Sequence, residues 1–269
     1  MVSKDTGRRR FALTVRTSVH RLARARGLAC LLLAAGLAGC GAHNPYPAGT
    51  YERAAAYREH GKHREAIDAY AAFLRQSPVD SLAVQAQFEK AMSYMAEKEY
   101  PLATVELQIL RQEYPDSELV EQAVFEEARA YLLQVGRTER DITPAYDARI
   151  RFVSFLSTYP ASSRAPEVRQ YLVDISDLVV RKRLRQLSVY KRLGRQEAMA
   201  ITLDRLIEEE TTSSLRGGVM LRRARLARDM GDTAAARALC GRIAAEYPNT
   251  GEAARAAVLL EKLPSASGP

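Results

Sequence analysis

The chain has 269 residues, and the groups in it that could serve as nucleophiles, metal ligands or acid–base pairs are three cysteines, four histidines and 32 acidic side chains. Their spacing supports few of those roles. His20, His43, His60 and His63 contain one close pair, placed on either side of Gly61 with no cysteine near it. A protein-held metal takes three or four donors, and an isolated histidine pair at a turn is more often solvated than a ligand, so no metal site is expected. No glycine-rich phosphate loop and no hydrolase nucleophile elbow is present. Cys240, in AAARALCGRIA, sits on an apolar stripe of helical spacing and reads as a small core residue rather than a nucleophile. One thiol has surroundings that invite chemistry, and it is Cys40.

Cys40 closes the tetrad Leu37-Ala38-Gly39-Cys40, which resembles the lipobox of bacterial lipoproteins. Thirteen uncharged residues, Gly27 to Gly39, precede it, and before them come Lys4 and seven arginines against one aspartate. The apolar run is too short to span a bilayer, which takes about 20 residues. Basic residues, a short apolar core and small residues form a secretory signal instead. In the lipobox reading residues 1–39 are removed and the Cys40 thiol takes a diacylglycerol, followed by an acyl chain on the new N-terminus. Two or more chains give a lasting anchor where one is marginal. Cleavage after Ala38, or Cys40 as an interior residue, are the alternatives. Gly41, rather than aspartate, after the cysteine resembles the signal for the outer membrane. No other cofactor is expected. Residues 1–39 also carry +7 of the formal +8, leaving +1 for residues 40–269, so the basic composition is no argument for nucleic acid.

Residues 40–49 form a proline- and glycine-containing tether. From Thr50 the pattern is helical and periodic. Tyr57, Tyr94 and Tyr131 follow one another at intervals of 37 residues, as do Pro78 and Pro115. A fixed period of this size marks a solenoid of helical pairs. In the first unit Gly61 ends one helix, Ala66, Tyr70, Phe73 and Leu74 make the buried stripe of the next, and Pro78 stops it. Ala91, Tyr94, Ala103, Leu107, Leu110 and Pro115 repeat this, as do Ala224, Gly231, Ala236, Cys240, Ile243 and Tyr247-Pro248. The third unit carries an insertion, residues 135–145, that is either a contact surface or a tolerated loop. The fourth keeps Tyr190 and Gly194 but lacks the closing proline. The expected fold is all-α: a tetratricopeptide-repeat superhelix of about five helix-turn-helix repeats over residues 50–263, the last helix (252–263) as cap, with a short tail at 264–269. The cationic run RKRLRQ (181–186) is either a solvated helix face or a contact for an acidic partner.

With the lipobox and repeats in place, the chain from Cys40 to about residue 263 resembles the BamD family, the lipoproteins of the outer-membrane β-barrel assembly machine. The segment RDITPAYDARIRFVSFLSTYPASSRAPEV carries the resemblance furthest, with Arg140-Asp141 after the long loop and Tyr159-Pro160 at the helix end. The likeness implies a non-enzymatic scaffold on the periplasmic face of the outer membrane. Its C-terminal half would dock on an Omp85-type barrel insertase (BamA-like) alongside companion lipoproteins, and its N-terminal half would receive unfolded outer-membrane proteins. Arg140, Asp141, Arg181, Arg183 and Thr202 are the implied partner-contact positions. Thr202, after Ile201, stands where the family has an Asn-Arg pair; Glu210-Thr211 stands where it has Tyr-Pro; and Arg183 where glutamate is common. Counting along the first helices places Tyr51, Arg58, Phe88, Met92 and Met95 in a candidate peptide groove, its methionines suited to an adaptable surface and Arg58 to a terminal carboxylate. A scaffold lipoprotein of another envelope machine, for pili, secretins or cell-wall synthesis, is the competing function, since repeats fix a binding surface and not its ligand.

Overall fold

The computed structural model describes residues 44–136 and 141–264. The chain divides into two compact units, Met1–Pro47 and Ala48–Pro269. In the first, the described residues are irregular, with the Tyr46 N–H donating to Asn44 Oδ1 (3.1 Å). Among the described residues, the second holds every helix and no strand. These are α1 (Tyr51–Glu59), α2 (His63–Gln76), α3 (Ala83–Ala96), α4 (Tyr100–Glu113), α5 (Leu119–Leu133), α6 (Thr143–Thr158), α7 (Ala165–Arg192), α8 (Gln196–Glu209), α9 (Arg216–Asp229), α10 (Thr233–Glu246) and α11 (Gly251–Glu261). They form five antiparallel pairs and a closing helix, the architecture of a tetratricopeptide-repeat solenoid.

Two turn designs produce the period. Within the first, second, fourth and fifth pairs, a residue at positive φ ends the leading helix: Gly61 (+70°), Lys98 (+64°), Gly194 (+65°) and Gly231 (+84°). The next amide then reaches back to a carbonyl at 2.9 Å in every case: Lys62 to Tyr57, Glu99 to Tyr94, Arg195 to Tyr190 and Asp232 to Ala227. Glycine enters this left-handed region without steric cost, so Lys98 is the strained member. Between pairs, the trailing helix ends on Ser77, Tyr114, Tyr159, Glu210 or Tyr247, whose amides still bond the carbonyl four residues earlier. A small polar side chain then starts the next helix. Asp80, Ser117, Ser162 and Ser213 accept the amides of Leu82, Leu119, Arg164 and Leu215, at 2.8–3.1 Å. Such local side-chain bonds favour turns over helix continuation.

Packing follows the register that these turns impose. Alanines at the crossing points, among them Ala66, Ala91, Ala103, Ala128, Ala148, Ala224 and Ala236, are fully buried, which lets paired helices approach closely while larger residues fill beside them. Phe125, Phe152, Phe155 and Tyr171 form an aromatic cluster, with Phe152 stacked on Tyr171 at 5.1 Å between ring centres. Each such ring removed from water is worth about 1.5–3 kcal/mol. The exception to the short-helix pattern is α7, with 28 residues. Its first half, through Val168, Ile175 and Val179, belongs to the aromatic core of the third repeat. Its second half, through Val180 and Leu187, belongs to a separate core with Leu203, Met220, Cys240 and Ile243.

Candidate functional site

The five residues expected to line an N-terminal groove do not share one fate. Tyr51 packs its ring against Tyr70 (5.7 Å) and Phe73 (5.9 Å) and is half-buried. Arg58 already has an anion, since its Nε lies 3.0 Å from Glu89 Oε2 on α3. Phe88 is 5% exposed, against Ala91, Leu107, Leu110 and Ala123, and Met95 is 8% exposed, against Ala103 and Ala130. The expectation that Phe88 and Met95 face a groove is therefore corrected. The i, i+4, i+7 stripe on α3 fills the seam where this helix meets α4 and α5. Met92 is the half-buried member, touching two core clusters and reaching the surface.

Around this stripe runs a ladder of charges that ties consecutive helices. Arg64 on α2 holds Glu97 at the end of α3 (2.8 Å), and Lys90 on α3 holds Glu106 on α4 (2.6 Å). Gln87 donates to the same Glu106 carboxylate at 2.6 Å. Glu127 on α5 accepts from Arg111 on α4 (2.5 Å) and Arg151 on α6 (3.2 Å). Glu106 and Glu127 are nearly buried and each has a cation, as burial of charge requires, whereas the Arg64–Glu97 pair lies at the surface. They position the repeats relative to one another and offer nothing unpaired to a ligand.

The second expected set lies around α6 and α7. Cys40 and Arg140 fall outside the described residues. Asp141 is exposed, and its Oδ1 accepts the Thr143 amide (2.9 Å) at the start of α6. That bond holds its carboxyl below the usual range, and Lys182, in the cationic stretch of α7, adds a smaller attraction. Arg181 and Arg183 are exposed, the latter donating to Gln186 (3.3 Å). Thr202 returns its hydroxyl to the Ala198 carbonyl (2.8 Å), and Ile201 beside it is 57% exposed. Where an Asn-Arg pair would present a donor and a cation, α8 presents an apolar branch and a self-satisfied hydroxyl.

A polar junction lies between these elements that sequence reasoning did not find. Glu210, 3% exposed at the end of α8, accepts two bonds from Arg149 on α6, Nη1 to Oε1 at 3.1 Å and Nη2 to Oε2 at 2.7 Å. On α7, Ser176 Oγ shares a hydrogen bond with Thr212 Oγ1 (2.7 Å). One residue on, Asp177 takes bonds from the Ser213 hydroxyl (2.6 Å), the Ser214 hydroxyl (2.5 Å) and the Ser214 amide (2.9 Å). Burial works against the Asp177 carboxylate, but these three donors outweigh it and keep its pKa below the ordinary value. The signal available in the sequence was Glu210 standing at the turn position that Tyr114, Tyr159 and Tyr247 hold elsewhere.

Against known families, residues 44–212, more than half of the chain, match YfiO, described as an outer membrane lipoprotein. Residues 219–250, which cover most of α9 and all of α10, match a tetratricopeptide repeat. No curated protein matches the chain. A solved structure similar to it is a kinesin light chain from Podosopora anserina with nearly identical tetratricopeptide-like repeats. The two are 16% identical over 72% of this chain and 91% of that one, with a TM-score of 0.35.

Proposed function

Because the chain belongs to the YfiO (BamD) family of outer membrane lipoproteins, we propose that it is a lipid-anchored scaffold of the β-barrel assembly machine. The family match over the first four helical pairs carries this reading. Cys40 bears the diacylglycerol and acyl chain and holds the solenoid at the periplasmic face of the outer membrane. The neighbourhood of Asp141, Lys182 and the exposed Arg181 and Arg183 receives the periplasmic domains of a BamA-like insertase. The surface left by Tyr51, Met92 and the Arg58–Glu89 pair receives the terminal strand of an unfolded barrel protein, with companion lipoproteins elsewhere on the repeats. No step of this function calls for catalysis; the scaffold acts by holding two clients at a fixed separation.

Affinity capture from gently solubilised envelope, with mass spectrometry, tests the reading. Recovery of a large barrel protein with repeated periplasmic domains supports it. Recovery of pilus, secretin or cell-wall proteins instead assigns the scaffold to another machine, a reading that the exposed Ile201 and self-bonded Thr202 at the altered contact favour. The anchor is tested separately: Cys40→Ala moves the protein from the membrane to the soluble periplasmic fraction, and membrane retention of that variant refutes lipidation.

A further inference from the structure

Between the second half of α7, α8 and α9 lies a cavity of about 580 Å³. Its floor is apolar, made by Leu187, Leu203 and Leu226, all under 10% exposed, with Leu184 and Met199 half-buried beside them. Its rim is cationic. Lys191, Arg222 and Arg225 line it, all three exposed, and among the described residues none of them has a carboxylate within ion-pair distance. Their neighbours show that this is a property of the rim. Arg223 is paired with Asp204 (2.8 Å), Arg216 with Glu246, and the one acid that lines the cavity, Asp229, is taken by Arg228 (2.7 Å). Since residues 40–269 carry a net charge of only +1, three unmatched cations around one recess are a local excess. Next in the chain to the lining residues Gly194 and Asp229, Leu193 and Met230, the capping residues of α7 and α9, are 66% and 41% exposed.

The geometry points to a peptide-docking groove for an acidic amphipathic segment of a partner protein: apolar side chains seated on Leu187, Leu203 and Met199, flanking carboxylates on Lys191, Arg222 and Arg225. Exposed guanidinium groups recognise carboxylates in paired geometry, while the apolar floor supplies the burial that surface charge pairs alone do not. A flat anionic bilayer satisfies the cations but cannot enter a recess between three helices, so the occupant is a polypeptide. This groove is distinct from the Asp141–Lys182 neighbourhood, and it stands whichever envelope machine the scaffold serves.

The test uses the mature protein in detergent and a short fluorescein-labelled peptide of alternating Asp-Glu pairs and Leu or Phe, read by fluorescence anisotropy. Saturable binding is expected, weakening with added salt, lost when serine replaces the apolar residues, and absent for the same peptide with lysine for its acids. Arg222→Glu and Arg225→Glu each weaken binding by about tenfold, the equivalent of one lost charge-assisted bond, whereas Arg64→Glu, a reversal far along the chain, leaves it unchanged. Because Arg222 and Arg225 are exposed and unpaired, both variants keep the wild-type helical spectrum and melting point. Absence of saturable binding, equal affinity for the reversed variants, or displacement of the peptide by phosphatidylglycerol vesicles overturns the proposal.

Discussion

Arg149 and Glu210 are 61 residues apart and meet in a two-pronged ion pair that joins the third repeat to the turn after the fourth. The pair is unequal. Glu210 has a side chain 4% exposed, whereas that of Arg149 is 25% exposed. Removing the arginine strands a carboxylate that water cannot reach, and removing the carboxylate strands a cation that water can. Arg149→Met is therefore expected to cost about 3 kcal/mol in urea unfolding, and Glu210→Gln clearly less. Equal losses in the two variants would show that the contact acts through packing rather than charge.

The same junction carries a pH dependence. The Asp177 carboxyl titrates lower when folded than when unfolded, so its ionised form adds stability. That contribution is complete above the unfolded value of about 3.9 and disappears as pH falls through the lower, folded value. Wild type should exceed Asp177→Asn in stability by a constant margin near neutrality, with the margin closing below about pH 4. A margin unchanged in acid would mean that Asn makes the same bonds.

Lys98 occupies the left-handed position that glycine holds at 61, 194 and 231. Lys98→Gly should raise stability by about 1 kcal/mol, and Gly231→Ala should lower it by a similar amount, since side chains disfavour this region by about 1–2 kcal/mol. Thermal melts of both variants are the measurement; a destabilised Lys98→Gly would show that the lysine side chain offsets its own strain.

On α3, burial separates structural from surface methionines. Phe88→Ala and Met95→Ala should each cost several kcal/mol, about 3–5 and 2–5 respectively, and weaken any barrel-derived C-terminal peptide only in step with unfolding. Met92→Glu, at the half-buried position, should weaken that peptide while leaving the melt near wild type. Peptide affinity indifferent to Met92→Glu moves the substrate surface away from α3.

The repeats were legible because each is specified locally: Tyr57 to Tyr94 to Tyr131 sets the period, and Gly61, Gly194 and Gly231 or the Tyr-Pro pairs at 114, 159 and 247 stand where a helix closes. The peptide stripe was misread for a physical reason. An i, i+4, i+7 row such as Phe88, Met92 and Met95 marks a face that is covered, and does not say whether a ligand or the next repeat covers it. The Arg149–Glu210 pair and the rim of Lys191, Arg222 and Arg225 depend on side chains from different repeats, so no window of sequence contains them. Only the irregularity at Glu210 hinted that the fourth turn is held by other means.

The uninterrupted α7 sets the mechanics of the molecule. Val179 and Val180 are adjacent in the chain yet belong to different cores, and between them the helix carries on without a break. At 1.5 Å per residue its 28 residues make a strut of about 42 Å. Elsewhere a bend between repeats needs only a turn to flex; here it needs a helix to buckle. The core of the third repeat and that of the fourth and fifth thus share one rigid member, so a displacement of the second half of α7 also moves the residues packed on Phe125, Phe152 and Tyr171.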